Sequence, residues 1–272
     1  MSGKRKIALV LAAQFLALWP VWQWYAARVM GSADGKWGLL AALFAAVLLW
    51  RKRVLVVDDA ANARLWLPAL FLLLYAASYT FIPPLARAAI GFTAVGLTLS
   101  ALVLGRRCHA GLLGLLYLSL PVIPSLQFYG GYPLRVFVAT VTAPILRLGG
   151  FNVVQEGTCL NWGGQLIWID APCSGVRMLW VGLFLVCVLA AVYDLRPLRT
   201  LYSLAAAFVV IIFGNVFRAV ALFYLEAKVV EMPSWSHEYV GVVAFVVIAA
   251  GIVLIVRRMR EGEKLCAQPL SI

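Results

Sequence analysis

The chain has 272 residues, 64% of them apolar and only 12% charged, and its mean hydropathy is +0.95. A soluble domain carries about a quarter of its residues as charges, so these values exclude one and predict an integral membrane protein. The formal net charge of +12 is scattered over short segments beside apolar runs and forms no continuous patch, which argues against nucleic-acid binding.

Apolar runs near the roughly 20 residues needed to cross hydrocarbon recur along the chain, and their Leu/Val/Ala-rich, unalternated character predicts helices. The expected fold is an all-α polytopic membrane protein of about eight transmembrane helices, read as one domain over 1–272. The predicted spans are 7–25, 37–50, 65–82, 86–104, 111–128, 174–193, 199–218 and 237–256, punctuated by Pro, Gly or charge at nearly every end. The first, behind "GKRK", reads as an uncleaved signal anchor. Placing both termini in the cytoplasm puts most cations there, Arg51, Lys52, Arg106, Arg107, Arg196 and Arg199 among them, which the positive-inside rule favours. The expected arrangement is therefore multi-pass, with N and C termini inside.

Residues 129–172 form the one long stretch between spans and fall outside the cytoplasm. Within it, "RVFVATVTAPILRLGG" looks like an interfacial or re-entrant helix ending at Gly149-Gly150. The following "FNVVQEGTCLNWGGQLIWIDAPC" alternates apolar and polar residues around a Trp162-Gly163-Gly164 turn. It predicts a short extracytoplasmic β-hairpin before the sixth span.

The last three spans, within 173–256, are the expected catalytic helices. Alternating direction brings the start of the sixth, the end of the seventh and the start of the eighth to one outer surface, where Cys173, Arg218 and His237 stand. A cysteine at a helix N-terminus has its thiolate stabilised by backbone N–H groups and nearby cations. Pro172 before Cys173 and Ser174-Gly175 after it read as a helix start. Cys159, also outside, is a rival thiol that either pairs with Cys173 in a disulfide or has a structural or accidental role, its hairpin context offering no helix dipole; Cys187 reads as an apolar filler, and Cys108 and Cys266 as free thiols. Arg218 shares a helix face with Asn215 three residues earlier. A snorkelling arginine explains Arg218 alone, but Asn215, one turn deeper, has no such explanation. Arg177 either binds a substrate carboxylate or pairs with Asp170. His237 is the natural general base, with Glu238 either orienting its ring or facing water; the other histidine, His109, reads as a loop residue. No metal-ligand spacing or nucleotide motif is present, so no metal or cofactor is expected.

Three segments, "APCSGVRML", "GNVFRAV" and "SHEYVG", resemble the cysteine, asparagine-to-arginine and histidine motifs of the exosortase/archaeosortase family of membrane-embedded cysteine transpeptidases. The resemblance is specific over roughly 150–256 and implies a nucleophilic Cys173 with catalytic Arg218 and His237. Ser174, Gly175 and Asn215 are implied as motif companions. It further implies a thiol protease or transpeptidase of the bacterial inner membrane that cuts a PEP-CTERM-like C-terminal sorting signal of secreted proteins at the outer face of that membrane. The implied partners are those proteins, membrane lipid and exopolysaccharide export machinery. The competing reading is a scaffold or transporter component of a polysaccharide export system, in which Cys173, Arg218 and His237 are each replaceable.

Overall fold

A computed structural model describes residues 3–31, 34–52, 65–170, 174–227, 233 and 236–267. Their helices are α1 (Gly3–Ala17), α2 (Trp19–Met30), α3 (Gly35–Lys52), α4 (Trp66–Ser78), α5 (Pro84–Leu102), α6 (Ala110–Ser119), α7 (Val122–Leu148), α8 (Val176–Val192), α9 (Pro197–Glu226) and α10 (Ser236–Ala267). Three helical stretches, Pro84–Leu102, Pro197–Glu226 and Glu238–Gly262, are long and apolar enough to cross a membrane singly. The number is five if the broken pairs α1–α2 and α6–α7 each count as one span. At 13 and 17 residues, α4 and α8 are shorter than a full crossing of about 20.

Two breaks divide runs that the sequence reads as continuous spans. The expected span 7–25 bends by 69° between α1 and α2, where Pro20 in the first turn of α2 removes a backbone donor and clashes with the preceding turn. The expected span 111–128 breaks at Leu120, which is extended at φ −65°, ψ 152°, because the residue before a proline is driven out of the helical region. Beyond Pro121 the chain starts a new 27-residue helix, α7. It absorbs the segment expected to be a separate interfacial helix.

The chain forms two compact units, Met1–Val122 with Cys187–Leu201, and Ile123–Val186 with Tyr202–Ile272, so α8 and α9 contribute residues to both. In the first unit α5 is the central helix, packed against α1, α2, α4 and α6. Its core joins Leu18, Val21, Tyr75, Ala88, Phe92 and Leu120. Small residues let other backbones nearly touch: a β-carbon on Gly38 would lie 2.2 Å from the Ser119 carbonyl oxygen, and one on Gly111 2.6 Å from the Ala191 amide. Close helix approach through small residues is the usual packing device in membranes.

The same unit contains a charge cluster built on Asp194, in the turn after α8. Asp194 takes φ 54°, and the Leu195 amide bonds back to the Ala190 carbonyl at 3.0 Å, the six-to-one bond of a Schellman cap that usually employs glycine at this place. The carboxylate Oδ1 receives Lys52 Nζ and, at 3.1 Å, His109 Nε2, while Arg106 Nη1 donates to the Asp194 carbonyl at 3.2 Å. His109, read from sequence as a loop residue, is in fact a buried cap: it is 3% exposed and its Nδ1 accepts from the Leu112 amide at the start of α6. With Nδ1 accepting, the ring proton sits on Nε2 and points at Asp194. Burial holds the His109 imidazole below its ordinary value, the charges of Lys52 and Arg106 acting in the same sense, against the opposing bond and charge of Asp194. Burial pushes the Asp194 carboxyl up, but the bonds from Lys52 and His109 and the charges of Lys52 and Arg106 outweigh it and bring it below the usual range.

In the second unit the stretch expected as a hairpin is a three-stranded antiparallel meander, β1 (Val153–Glu156), β2 (Cys159–Trp162) and β3 (Gln165–Trp168). Trp162 pairs with both Val153 and Gln165. Gly163 and Gly164, at φ 59° and 88°, supply the two positive angles of the primed turn between β2 and β3. A second turn at Gly157, φ 63°, adds the strand that the sequence reading folded into one arm. The sheet's buried face, Val153, Leu160 and Ile167, joins Val138, Ala139 and Leu146 of α7 and Val216 and Phe223 of α9 in one core. Arg147 Nε donates to the Val153 carbonyl at 2.7 Å, and α7 ends with Gly150 at φ 90°.

Candidate functional site

The sheet delivers the chain to the start of α8: the Ile169 amide bonds the Thr158 carbonyl at 3.0 Å, exposed Asp170 follows, and α8 begins at Val176. Cys173 and Pro172 lie outside the described residues, as do the side chains of His237 and Cys266. Ser174 is 1% exposed; its hydroxyl donates to Gln127 Oε1 of α7 at 3.3 Å and accepts from the Val176 amide at 3.4 Å. One of the orphan donors of the first turn is thereby satisfied.

Gly175 carries two independent demands for glycine. Its φ is 82°, a region where a side chain is strained, and a β-carbon there would lie 2.9 Å from Asn215 Nδ2 and 3.0 Å from Asn215 Cγ. The backbone that leads into α8 therefore packs directly on the Asn215 amide, which is 2% exposed. One turn further along α9, Arg218 Nη1 donates to Asn215 Oδ1 at 3.4 Å, as expected of residues three apart on a helix. Arg218 in turn borders α10, where a β-carbon on Gly241 would stand 3.8 Å from Arg218 Nε. His237 is the second residue of α10 and precedes Gly241 by four positions, so the two share a helix face.

Gly175, Asn215, Arg218 and Gly241 thus form a continuous chain of contacts from the start of α8, across α9, to the first turns of α10. Arg177, Asp170 and Glu238 have exposed side chains; Arg177 is the second residue of α8 and Glu238 lies in the first turn of α10. Between α9 and α10 runs an apolar groove of about 350 Å³, walled by Gly214, Phe217 and Ala221 on one side and Val243 and Val247 on the other, with Arg218 and Tyr239 among its lining. Gly214 makes room for Ile248, whose Cδ1 would lie 2.3 Å from a β-carbon at that position.

The sequence reading missed Gln127. It is the polar residue of "VIPSLQFYGG" that reaches Ser174, and a lone amide in an apolar run is the signal that points to it. Cys159, the rival thiol, is a free cysteine buried on β2. Cys187 is 1% exposed, with its Sγ 2.4 Å from where a β-carbon on Gly114 would stand. Among the described residues no three His, Cys, Asp or Glu side chains come together as metal ligands.

No curated protein and no solved structure matches the chain. The sequence profile of transmembrane exosortases matches residues 22–254, most of the chain and all of the contacts just traced. This membrane protein therefore belongs to the transmembrane exosortase family.

Proposed function

We propose that the chain is a membrane-embedded cysteine transpeptidase or protease that cleaves the C-terminal, PEP-CTERM-like sorting signal of secreted proteins at the outer face of the inner membrane. The observation that carries the reading is the contact chain Gly175–Asn215–Arg218–Gly241. It ties together the three helix segments that hold the cysteine, arginine and histidine motifs, in a family whose members are generally cysteine-dependent transpeptidases.

In this reading the Cys173 thiolate attacks the scissile carbonyl carbon. The carbonyl oxygen takes the negative charge, and Arg218 with the Ser174 and Gly175 amides stabilises it. The C–N bond then breaks, and the leaving amine takes a proton from His237. The product is a thioester on Cys173. An acceptor amine, hydroxyl or water, deprotonated by His237, displaces the thiolate and completes transfer or hydrolysis. Asn215 is a positioning residue: packed on Gly175 and bonded to Arg218, it sets the distance between the α8 amides and the guanidinium. The substrate's apolar tail helix lies in the bilayer, and the β1–β3 sheet clamps its recognition motif. Leu166 and Trp168, 46% and 62% exposed, are its apolar contacts. Exopolysaccharide export machinery is the expected companion.

The test is co-expression in membranes with proteins bearing such a signal, comparing wild type, Cys173→Ala and His237→Ala. Loss of processing in both variants at unchanged protein level, with a thiol-sensitive adduct only when Cys173 is present, is the expected result. Full processing by Cys173→Ala removes the assignment and leaves the scaffold reading. Unchanged cleavage after the turn Trp162–Gly164 is scrambled removes the clamp.

A further inference from the structure

The first unit contains a small half-open pocket between α2 and the facing ends of α4 and α5. It has room for about 80 Å³ and is lined by Pro20, Trp24, Tyr75, Tyr79, Pro84 and Arg87, with Val21 at its base. That is more than one water requires, and enough for a group of a few heavy atoms. Tyr75 is 6% exposed, and its hydroxyl is buried without a hydrogen-bond partner. An unmet buried hydroxyl is costly, and this one sits in the pocket wall. Arg87 stands over the Tyr79 ring, its Cζ 4.6 Å from the centroid, so the guanidinium is stacked on one face and keeps its edge for a ligand. No acidic residue is among the described residues that line the pocket.

A phenol hydroxyl beside a stacked guanidinium, with no carboxylate among the described lining residues, matches the oxygens of a phosphate. The walls decide the source of that phosphate. Trp24, Tyr75 and Tyr79 form an aromatic girdle of the kind found at headgroup depth, and exposed Leu74 and Leu70 precede Tyr79 by five and nine residues along α4, where acyl chains run. We propose that this pocket binds the headgroup phosphate of a membrane phospholipid, held by Arg87 and the Tyr75 hydroxyl. The site is independent of the cysteine chemistry.

The full chain, purified in an uncharged detergent, is titrated with dihexanoylphosphatidylglycerol, with dihexanoylglycerol, which lacks the phosphate, and with inorganic phosphate, while thermal unfolding is followed. The phospholipid raises the melting temperature of wild type, and the other two do not at equal concentration. Tyr75→Phe and Arg87→Gln each weaken phospholipid binding at least tenfold. Without lipid, Tyr75→Phe melts at or above wild type, because the variant only deletes an unpaired hydroxyl; this separates lost binding from lost folding. Wild-type binding by both variants, equal stabilisation by dihexanoylglycerol, or a lipid-free Tyr75→Phe that melts well below wild type overturns the site. Equal stabilisation by inorganic phosphate overturns the lipid as its occupant.

Discussion

The two units solve opposite problems with polar groups. In the first, Asp194 collects Lys52, His109 and Arg106 from two distant segments, so one carboxylate neutralises an excess of donors and clamps helix ends together. In the second, the path Gly175–Asn215–Arg218 uses an amide and a missing side chain: the Asn215 carboxamide packs on Gly175 and its oxygen accepts from Arg218. An amide at position 215 positions the guanidinium without adding a charge of its own, whereas a carboxylate in its place would offset the charge that the proposed chemistry needs for an oxyanion. The cluster is held by shared charge and the site by close packing. This difference is also why the cluster is pH-sensitive through its histidine.

Four experiments press on that contrast, in falling order of effect. Gly175→Ala places a side chain at φ 82° and against Asn215, so it is expected to cost about 2–3 kcal/mol and to abolish substrate processing. Processing at the wild-type rate, scored by immunoblot of a co-expressed substrate, breaks the steric account of the site. Asp194→Asn removes the charge that three donors share; with the carboxylate 39% exposed, solvent screening limits the loss to about 1–2 kcal/mol. A lowered melting temperature in detergent with unchanged thiol reactivity at Cys173 is expected, and a melting temperature equal to wild type breaks the cohesion reading.

The third is a pH series. His109 is held below its ordinary value of about 6.5, so the unfolded chain takes the proton first as pH falls. Its contribution to stability is present above that value and is lost on acidification through it. Asp194, held below the usual carboxylate range, keeps its contribution until about pH 4, the unfolded value. Melting temperature should therefore decline below about pH 6.5 in wild type, and His109→Gln should flatten that decline. A parallel decline in the variant assigns it elsewhere. The smallest effect belongs to Gln127→Leu, which removes the acceptor of the Ser174 hydroxyl. A neutral hydrogen bond of about 0.5–1.5 kcal/mol predicts processing reduced about two- to tenfold with the fold retained, and Gln127→Asn should restore none of it because its amide is one methylene short. Wild-type processing by Gln127→Leu takes Gln127 out of the site.

Much of the second unit was legible because its signals are local. Gly163-Gly164 announce a primed turn by their need for positive φ, and Asn215 and Arg218 share a face by helical spacing alone. Gly175 stands at a helix start that the composition around it marks. Alternating helix direction led to the expectation that the three motif segments come together, and Gly175, Asn215, Arg218 and Gly241 do touch in series. What was misread turned on single residues within apolar runs. Pro20 and Pro121 broke two expected spans, and Gly157 added a third strand to an expected hairpin.

From its sequence alone the chain is a membrane protein whose cysteine, arginine and histidine motifs fall on its last helices, because hydropathy, helical rise and forced backbone angles are properties of neighbours along the chain; Arg218, expected at the end of its span, lies two turns inside α9, which runs on to Glu226. Only the tertiary structure decided which polar groups meet. His109 and Asp194 are 85 residues apart and Lys52 and Asp194 142. A lysine at a helix end, an aspartate in a turn and a histidine in a loop each look solvated until the helices carrying them pack. The same holds for Gln127 against Ser174 and for the unpaired hydroxyl of Tyr75: whether a polar atom has a partner depends on the surface brought against it, and no local pattern encodes that surface.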